Sequence, residues 1–445
     1  MFRHTLLETH DMKVETSDWK LNLLQATQDA IFVAIKDEIL VVDSVSFAIL
    51  QRVDTNVFTS QSQESFGINQ ITIGSVREKK FLVAVGDIGV VLVFPLNNSL
   101  PNNSLPDSSE IIGLSPIIYD NGGVSTWGCD LNHYLAFSDN SFKITMVDLS
   151  TNEKSILREH LHNIPCVKFS DDASLLISCS IGKNAIVWDV VKKEILYQIE
   201  LDAWGWSGIA LQLNQIHKVH HGSKEWKSVK NDPDYDCEIE QVFNANQQDS
   251  ISDDDDDKSV SSFGSAISNE SKAHDTFNGP IDYAGESDWI DTSSSSSDGE
   301  SVAFELGLGE TIGSGHAIFV GTNGSANFFS LDRSDFEHSV FDPTSTYPDY
   351  SGMDRLSLTI WLPEPFSLLI VASQAGRVAF LSLLESRGKV GVSRELILDV
   401  GSIIYGLSCV SISPSSKRLY ILRKDGKIAV YKLWKDEAGH GLDLL

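Results

Sequence analysis

Seven stretches of this sequence align with one another at equal length and without a gap. Each has an apolar run, a polar or glycine-containing turn and a second apolar run. They span residues 30–43, 82–95, 135–148, 176–189, 317–330, 369–382 and 419–432. The fullest unit covers 160–190, HLHNIPCVKFSDDASLLISCSIGKNAIVWDV. In it Cys166, Val167 and Phe169 predict one strand, Leu175 to Ile177 a second and Ala185 to Trp188 a third. Asp171-Asp172 and Gly182-Lys183 supply the turns. Units this short cannot bury their apolar faces alone, so they stack on copies of themselves. Seven suit a closed ring, and closure removes exposed sheet edges. Little sequence follows Tyr431, and KLWKDEAGHGLDLL is a poor strand former. Residues near Phe2 to Thr9 are therefore expected to supply the outer strand of the last unit, and loss of residues 1–10 to lower the melting temperature sharply.

The fullest unit ends in Trp188-Asp189 and resembles one blade of a WD-repeat protein, a four-stranded sheet of a β-propeller. The Trp188 place is filled in the other units by Val42, Phe94, Val147, Phe329, Leu381 and Tyr431. Blades of that family carry a buried tetrad of His, Ser or Thr, Asp and Trp. The resemblance puts His160, Ser178 and Trp188 at three of the four places and Gly182 at the Asp place. Loss of that Asp is expected to loosen the network. Asp425 fills the Asp place of the last unit. The expected fold is all-β: a single seven-bladed WD-repeat propeller over 1–445, with a long disordered acidic insertion in the fifth blade.

That insertion explains most of the charge. The chain has 445 residues and a formal net charge of −28. Residues 231–300 hold 19 acids against 2 bases, a balance of −17, which leaves −11 for the remainder. The fifth unit starts at AWGWSGIALQL (203–213), and its partner window begins only at Ala317. The polar stretch over 215–315 is far longer than an ordinary loop. It includes five acids at Asp253 to Asp257 and five serines at Ser293 to Ser297. Its composition is that of a disordered segment. Ser252 and Ser297 each have an acid three residues on, Asp255 and Glu300, and fit acid-directed phosphorylation.

No motif points to catalysis or to a cofactor. His217, His220 and His221 with Cys237 match no standard zinc spacing and read as a polar loop. The glycine-rich LGLGETIGSGH (306–316) lacks the Lys and the following helix of a phosphate cradle. No metal or cofactor is expected. The five cysteines form no CxxC pair and read as reduced core thiols of an intracellular protein. No apolar run is long enough for a membrane span. An acidic surface suits nucleic-acid phosphates poorly, so no direct nucleic-acid binding is expected. REKK (77–80) and SSKR (415–418) read as solvated turns.

Three segments sharpen the resemblance. STWGCDLNHYLAFSDNSFKITMVDL (125–149), HNIPCVKFSDDASLLISCSIGKNAIVWDV (162–190) with WGWS (204–207), and LLIVASQAGRVAFLSL (368–383) occur in one order. Together they are similar to the fungal family of constitutive ribonucleotide reductase transcription regulators. The similarity covers most of the expected propeller and little of the acidic stretch. It implies a nuclear or nucleocytoplasmic regulator that influences expression of the enzyme supplying deoxynucleotides; a monomeric, non-enzymatic scaffold acting through protein partners is expected. Trp204 and Trp206 are candidate partner contacts, with at least one expected to fill blade core. A second reading is a substrate receptor of a cullin-type ubiquitin ligase. Such receptors often carry Trp-Asp-x-Arg, and here Val191 stands in the Arg place.

Overall fold

The computed structural model describes residues 9–11, 20–59, 66–97, 111–218, 304–306, 315–330, 339–341, 354–386, 389–436 and 439–444. Strand β1 (Thr9–Asp11) is followed by blade 1, made of β2 (Leu24–Ala26), β3 (Ala30–Ile35), β4 (Glu38–Asp43) and β5 (Ile49–Asp54). Blade 2 comprises β6 (Ile68–Val76), β7 (Lys79–Gly86), β8 (Val90–Pro95) and β9 (Ile117–Asp120). Blade 3 comprises β10 (Thr126–Asn132), β11 (Tyr134–Asp139), β12 (Ile144–Asp148) and β13 (Glu153–Leu157). Blade 4 comprises β14 (Cys166–Phe169), β15 (Leu175–Ser180), β16 (Asn184–Asp189) and β17 (Glu194–Glu200).

Blade 5 opens with β18 (Ser207–Gln212). Two short strands follow, β19 (His217–Lys218) and β20 (Phe304–Leu306), and the blade resumes with β21 (His316–Gly321), β22 (Ala326–Ser330) and β23 (Ser339–Phe341). Blade 6 is β24 (Leu356–Leu362), β25 (Leu368–Ser373), β26 (Arg377–Ser386) and β27 (Lys389–Asp399). Blade 7 is β28 (Ile404–Ser413), β29 (Ser416–Arg423) and β30 (Lys427–Asp436), with β31 (Gly439–Leu444) after it. Each blade is an antiparallel meander, and the seven make a propeller. All seven aligned windows fall on the second and third strands of a blade.

The core lies between blades rather than within them. One apolar cluster joins blades 7, 1 and 2, and five others join 2 to 3, 3 to 4, 4 to 5, 5 to 6 and 6 to 7. The clusters thus close a ring. The residues that align with Trp188 are all buried: Val42, Phe94, Val147, Phe329, Leu381 and Tyr431. A middle strand packed on both faces needs no polar alternation, so these strands read as continuous apolar runs.

Adjacent inner strands are joined by a few backbone hydrogen bonds, such as Leu23 N to Tyr405 O at 2.8 Å, and by side-chain amides. Asn22 Nδ2 donates to Leu407 O at 3.0 Å, Gln25 Nε2 to Ile71 O at 3.2 Å and Gln70 Nε2 to Cys129 O at 2.9 Å. Asn132 Nδ2 donates to Ser170 O at 2.9 Å. These steps link blades 1 to 7, 1 to 2, 2 to 3 and 3 to 4. Each adds a donor to a backbone carbonyl of the next blade.

An N-terminal segment does pair with the last blade. Among the described residues, Thr9–Asp11 pairs with β30, Thr9 opposite Ala429 and Asp11 opposite Lys427, which meets the expected stretch at its last residue. Residues 1–8 lie outside the described residues. The tail judged a poor strand former is also used: β31 pairs antiparallel with the other half of β30, from Asp436–Gly439 to Tyr431–Leu444. Backbone pairing to a strand already held by β29 outweighs weak intrinsic propensity.

The fifth blade is interrupted where expected. Its ladder runs directly from β18 to β21, Ser207 opposite Gly321 through Gln212 opposite His316. Residues 219–303 and 307–314 lie outside the described residues. The ends of the interruption pair with blade 6: β19 lies parallel to β26 at Leu384 and Glu385, and β20 antiparallel to β27 from Val390 to Val392. Compact contacts divide the chain into Met1–Lys230 with Val302–Leu445, and Asn231–Ser301.

Among the described residues no helix is long and apolar enough to cross a membrane. Cys129 and Cys179 are buried, Cys166 and Cys409 are partly buried, and all four are free. Cys237 lies outside the described residues. One basic cluster needs correction. Arg77 to Lys80 form an exposed turn, but Arg418 is half-buried and donates from Nη1 to Ser44 O at 3.0 Å, joining blade 7 to blade 1.

Candidate interaction face

In a meander of four strands, the start of the inner strand and the turn between the second and third strands lie at the same end. One mouth of the ring is therefore built from these segments of every blade. The signature unit of blade 4 reaches it through His160, which is buried in the connection to β14. Trp188 Nε1 donates to Ser178 Oγ at 2.9 Å, and Ser178 Oγ lies 2.7 Å from His160 Nε2. His160 Nδ1 lies 3.0 Å from Asn184 Oδ1. An amide oxygen only accepts, so Nδ1 carries the proton, Nε2 accepts from the Ser178 hydroxyl, and that hydroxyl accepts from the indole. The four-group chain is complete.

The expected loosening at Gly182 is not what the geometry has. Asn184, two residues on, holds the imidazole instead. At Gly182 a Cβ would sit 2.7 Å from Cδ2 of the exposed His162 ring, which would have to turn aside. The left-handed backbone of this turn falls on Lys183, with φ of +61°. Burial lowers the His160 pKa to about 4, against an opposing pull from Asn184, so the ring is neutral near pH 7.

Trp204 and Trp206 precede β18 rather than lying in it. They are not alternate strand residues, and their rings face each other at 6.2 Å and 59°. Trp206 is buried. Its Nε1 donates to Asn323 Oδ1, and the Arg355 guanidinium sits 4.8 Å over its ring. Trp204 is partly exposed. Nearby, Trp127 Nε1 donates to Asn140 Oδ1 at 2.5 Å, and the exposed Phe142 and His162 rings lie 6.2 Å apart. Leu161 is 78% exposed. Blades 3 to 5 therefore present an aromatic quadrant at this mouth.

Beside it runs a buried polar chain that sequence reasoning missed. Arg355, only 2% exposed, donates from Nε to Gln374 Oε1. Gln374 Nε2 donates to Lys20 O at 2.8 Å. Lys20 Nζ donates to Asn69 Oδ1 at 2.7 Å and to Asp87 Oδ2 at 3.3 Å. Asn69 Nδ2 continues to Asp87 Oδ1 at 2.8 Å and Thr126 O at 2.9 Å. Burial lowers the Lys20 pKa, and the Asp87 charge opposes that shift. The chain crosses from blade 6 through the segment before β2 to blades 2 and 3. Its members are far apart in sequence and follow no local pattern.

His217 lies 3.4 Å from Glu364. His220, His221, Ser252 and Ser297 lie outside the described residues. Among the described residues, no group of three or more His, Cys, Asp or Glu side chains is arranged to hold a metal. The arrangement offers aromatic rings at one rim, held from beneath by buried cations, which is the chemistry of macromolecular docking.

No family model matches the chain. A WD40 repeat-containing protein of Dictyostelium discoideum is 34% identical over 200 residues, covering 42% of this chain and 27% of that protein. An uncharacterized WD repeat-containing protein of Schizosaccharomyces pombe is 25% identical over 222 residues, covering 42% of this chain and 43% of that protein. These findings support a WD-repeat propeller. The chain thus spans less than half the length of either relative. A solved chain in the crystal structure of the mitotic checkpoint complex superposes with a TM-score of 0.54 at 10% identity, covering 97% of this chain and 95% of that one. At that identity the likeness concerns the fold alone.

Proposed function

We propose that this chain is a non-enzymatic WD-repeat scaffold of the nucleus and cytoplasm. It regulates transcription of ribonucleotide reductase genes in the response to DNA damage, through protein partners and without gripping DNA itself. The observation that carries the reading is the WGWS segment. The resemblance singles out these residues, and they form the rim of the aromatic quadrant, with Trp204 partly exposed over a buried Trp206–Arg355 stack. A rigid aromatic anchor backed by buried polar groups is what partner-binding rims use. The solved neighbour belongs to the mitotic checkpoint complex, and a complex of proteins is the setting expected for a propeller of this kind.

The test is affinity capture of the full chain and its Trp204→Ala form from cells under replication stress, with ribonucleotide reductase transcripts measured in parallel. The expected result is recovery of transcription regulators with the wild type, their loss with Trp204→Ala and an accompanying change in transcript level. Truncation of a central aromatic anchor costs about 2 kcal/mol or more of binding, roughly 30-fold in affinity. Recovery of a cullin and its adaptor instead would assign the chain to a ubiquitin ligase. Turnover of a substrate by the pure protein would overturn the scaffold reading.

A further inference from the structure

Cys166 on β14 and Cys179 on β15 are direct cross-strand partners in blade 4. Opposed residues of an antiparallel pair have Cα atoms about 4.5–5.5 Å apart. That lies inside the range of roughly 4.4–6.8 Å that a disulfide spans. The two side chains leave the same face of the sheet, towards β18 of blade 5. Cys179 Sγ contacts Ser207 O at 3.3 Å, and Cys166 Sγ contacts Gly208 O at 3.8 Å. Gly208 is a glycine for this reason: a Cβ there would lie 2.6 Å from Cys179 Sγ. Both thiols are free.

The two sulfurs are not equivalent. Cys179 is fully buried, whereas Cys166 keeps partial exposure on the inner strand. Hydrogen bonding from Cys179 lowers the Cys166 pKa, and the same contact, with burial, raises that of Cys179. A partly exposed residue whose thiol ionises first, with a second thiol opposite it, is the order of a nucleophilic and a resolving cysteine.

We propose that Cys166 and Cys179 form a reversible intrablade disulfide by exchange with a small disulfide such as oxidised glutathione. The Cys166 thiolate attacks one glutathione sulfur and breaks its S–S bond, and the departing glutathione thiolate takes up a proton. Cys179 then attacks the Cys166 sulfur of the mixed disulfide. The second glutathione leaves as a thiolate and receives the Cys179 proton. Two protein thiols lose two electrons in all, and one glutathione disulfide becomes two glutathiones. The bond ties the inner strand of blade 4 to its neighbour beneath the Trp204–Trp206 segment. Gly205 of that segment packs so closely that a Cβ on it would lie 3.1 Å from Cys179 Cβ.

The experiment equilibrates the folded full chain with graded ratios of oxidised to reduced glutathione, blocks free thiols and maps peptides without reduction. Trypsin cleaves after Arg158, Lys168 and Lys183, so the two cysteines fall in separate peptides, 159–168 and 169–183. The expected result is a linked pair of these peptides that rises with the oxidised fraction, disappears with dithiothreitol and is lost in Cys166→Ser and in Cys179→Ser. The wild-type map decides the matter even where a variant fails to fold. Free thiols at both positions at every ratio would overturn the proposal. So would a glutathione adduct on Cys166 with no link to Cys179, or links spread over Cys129, Cys237 and Cys409.

Discussion

At the residue scale, the hydrogen-bonded chain of blade 4 has a pH signature. The neutral His160 is favoured by folding, because burial lowers its pKa from 6.5 to about 4. The unfolded chain therefore binds more protons than the folded one between those values. Stability is full above pH 6.5 and falls as the pH drops towards 4. The loss amounts to about 3 kcal/mol across the window. His160→Gln removes this component. Its denaturant midpoint is lower than wild type at pH 7, and the difference narrows by about that amount as the pH approaches 4. A constant difference across the window would show that His160 is not held neutral. Three members of this chain were legible by resemblance. The fourth was not, because Gly182 stands at the Asp place and Asn184, outside the motif, makes the hydrogen bond.

At the element scale, the repeat was readable because each middle strand pair is buried on both faces, which leaves an uninterrupted apolar imprint. The outer strands were harder to see. They need only backbone pairing along one edge, so Gly439–Leu444 carries no apolar signature and still adds to blade 7. That sharing changes what truncation does. Removal of residues 1–11 uncovers the edge at Lys427 to Ala429 while β31 still holds Tyr431 to Asp436. The expected loss of melting temperature is therefore partial, about 2–4 °C for each kcal/mol lost, and removal of residues 439–445 as well deepens it. Hydrogen exchange checks the assignment locally. Deleting residues 1–11 speeds exchange on β30 around Ile428 while leaving Tyr431 to Asp436 protected, and deleting the tail does the reverse. Uniform loss of protection in both deletions would mean that the two segments do not act separately.

For the whole molecule, closure rests on contacts that a local pattern cannot encode. Gln374 and Lys20 are 354 residues apart, and Asn22 and Leu407 are 385 apart, yet both pairs are hydrogen-bonded. The sequence identifies the units; only the ring juxtaposes these partners. The interrupted fifth blade fits the same economy, since its ladder is complete without the intervening segment. Replacing residues 219–303 with a flexible linker is expected to leave the melting temperature within about 2 °C of wild type. The linker must pass from β19 to β20 across three inter-strand steps, about 14 Å in all. Roughly eight Gly/Ser residues reach that far. A large drop in the melt would assign the segment a role in holding the ring. The double edge of β30 has one more consequence. Leu444 opposes Tyr431, Thr9 opposes Ala429, and both run antiparallel to β30, so they follow one another nose to tail with the single position Val430 between them. A circular permutant that joins residue 445 to Thr9 and opens the chain at the exposed Gly401 turn would weld the two pieces into one strand. It should melt above the parent, because a covalent join replaces two separately docked ends.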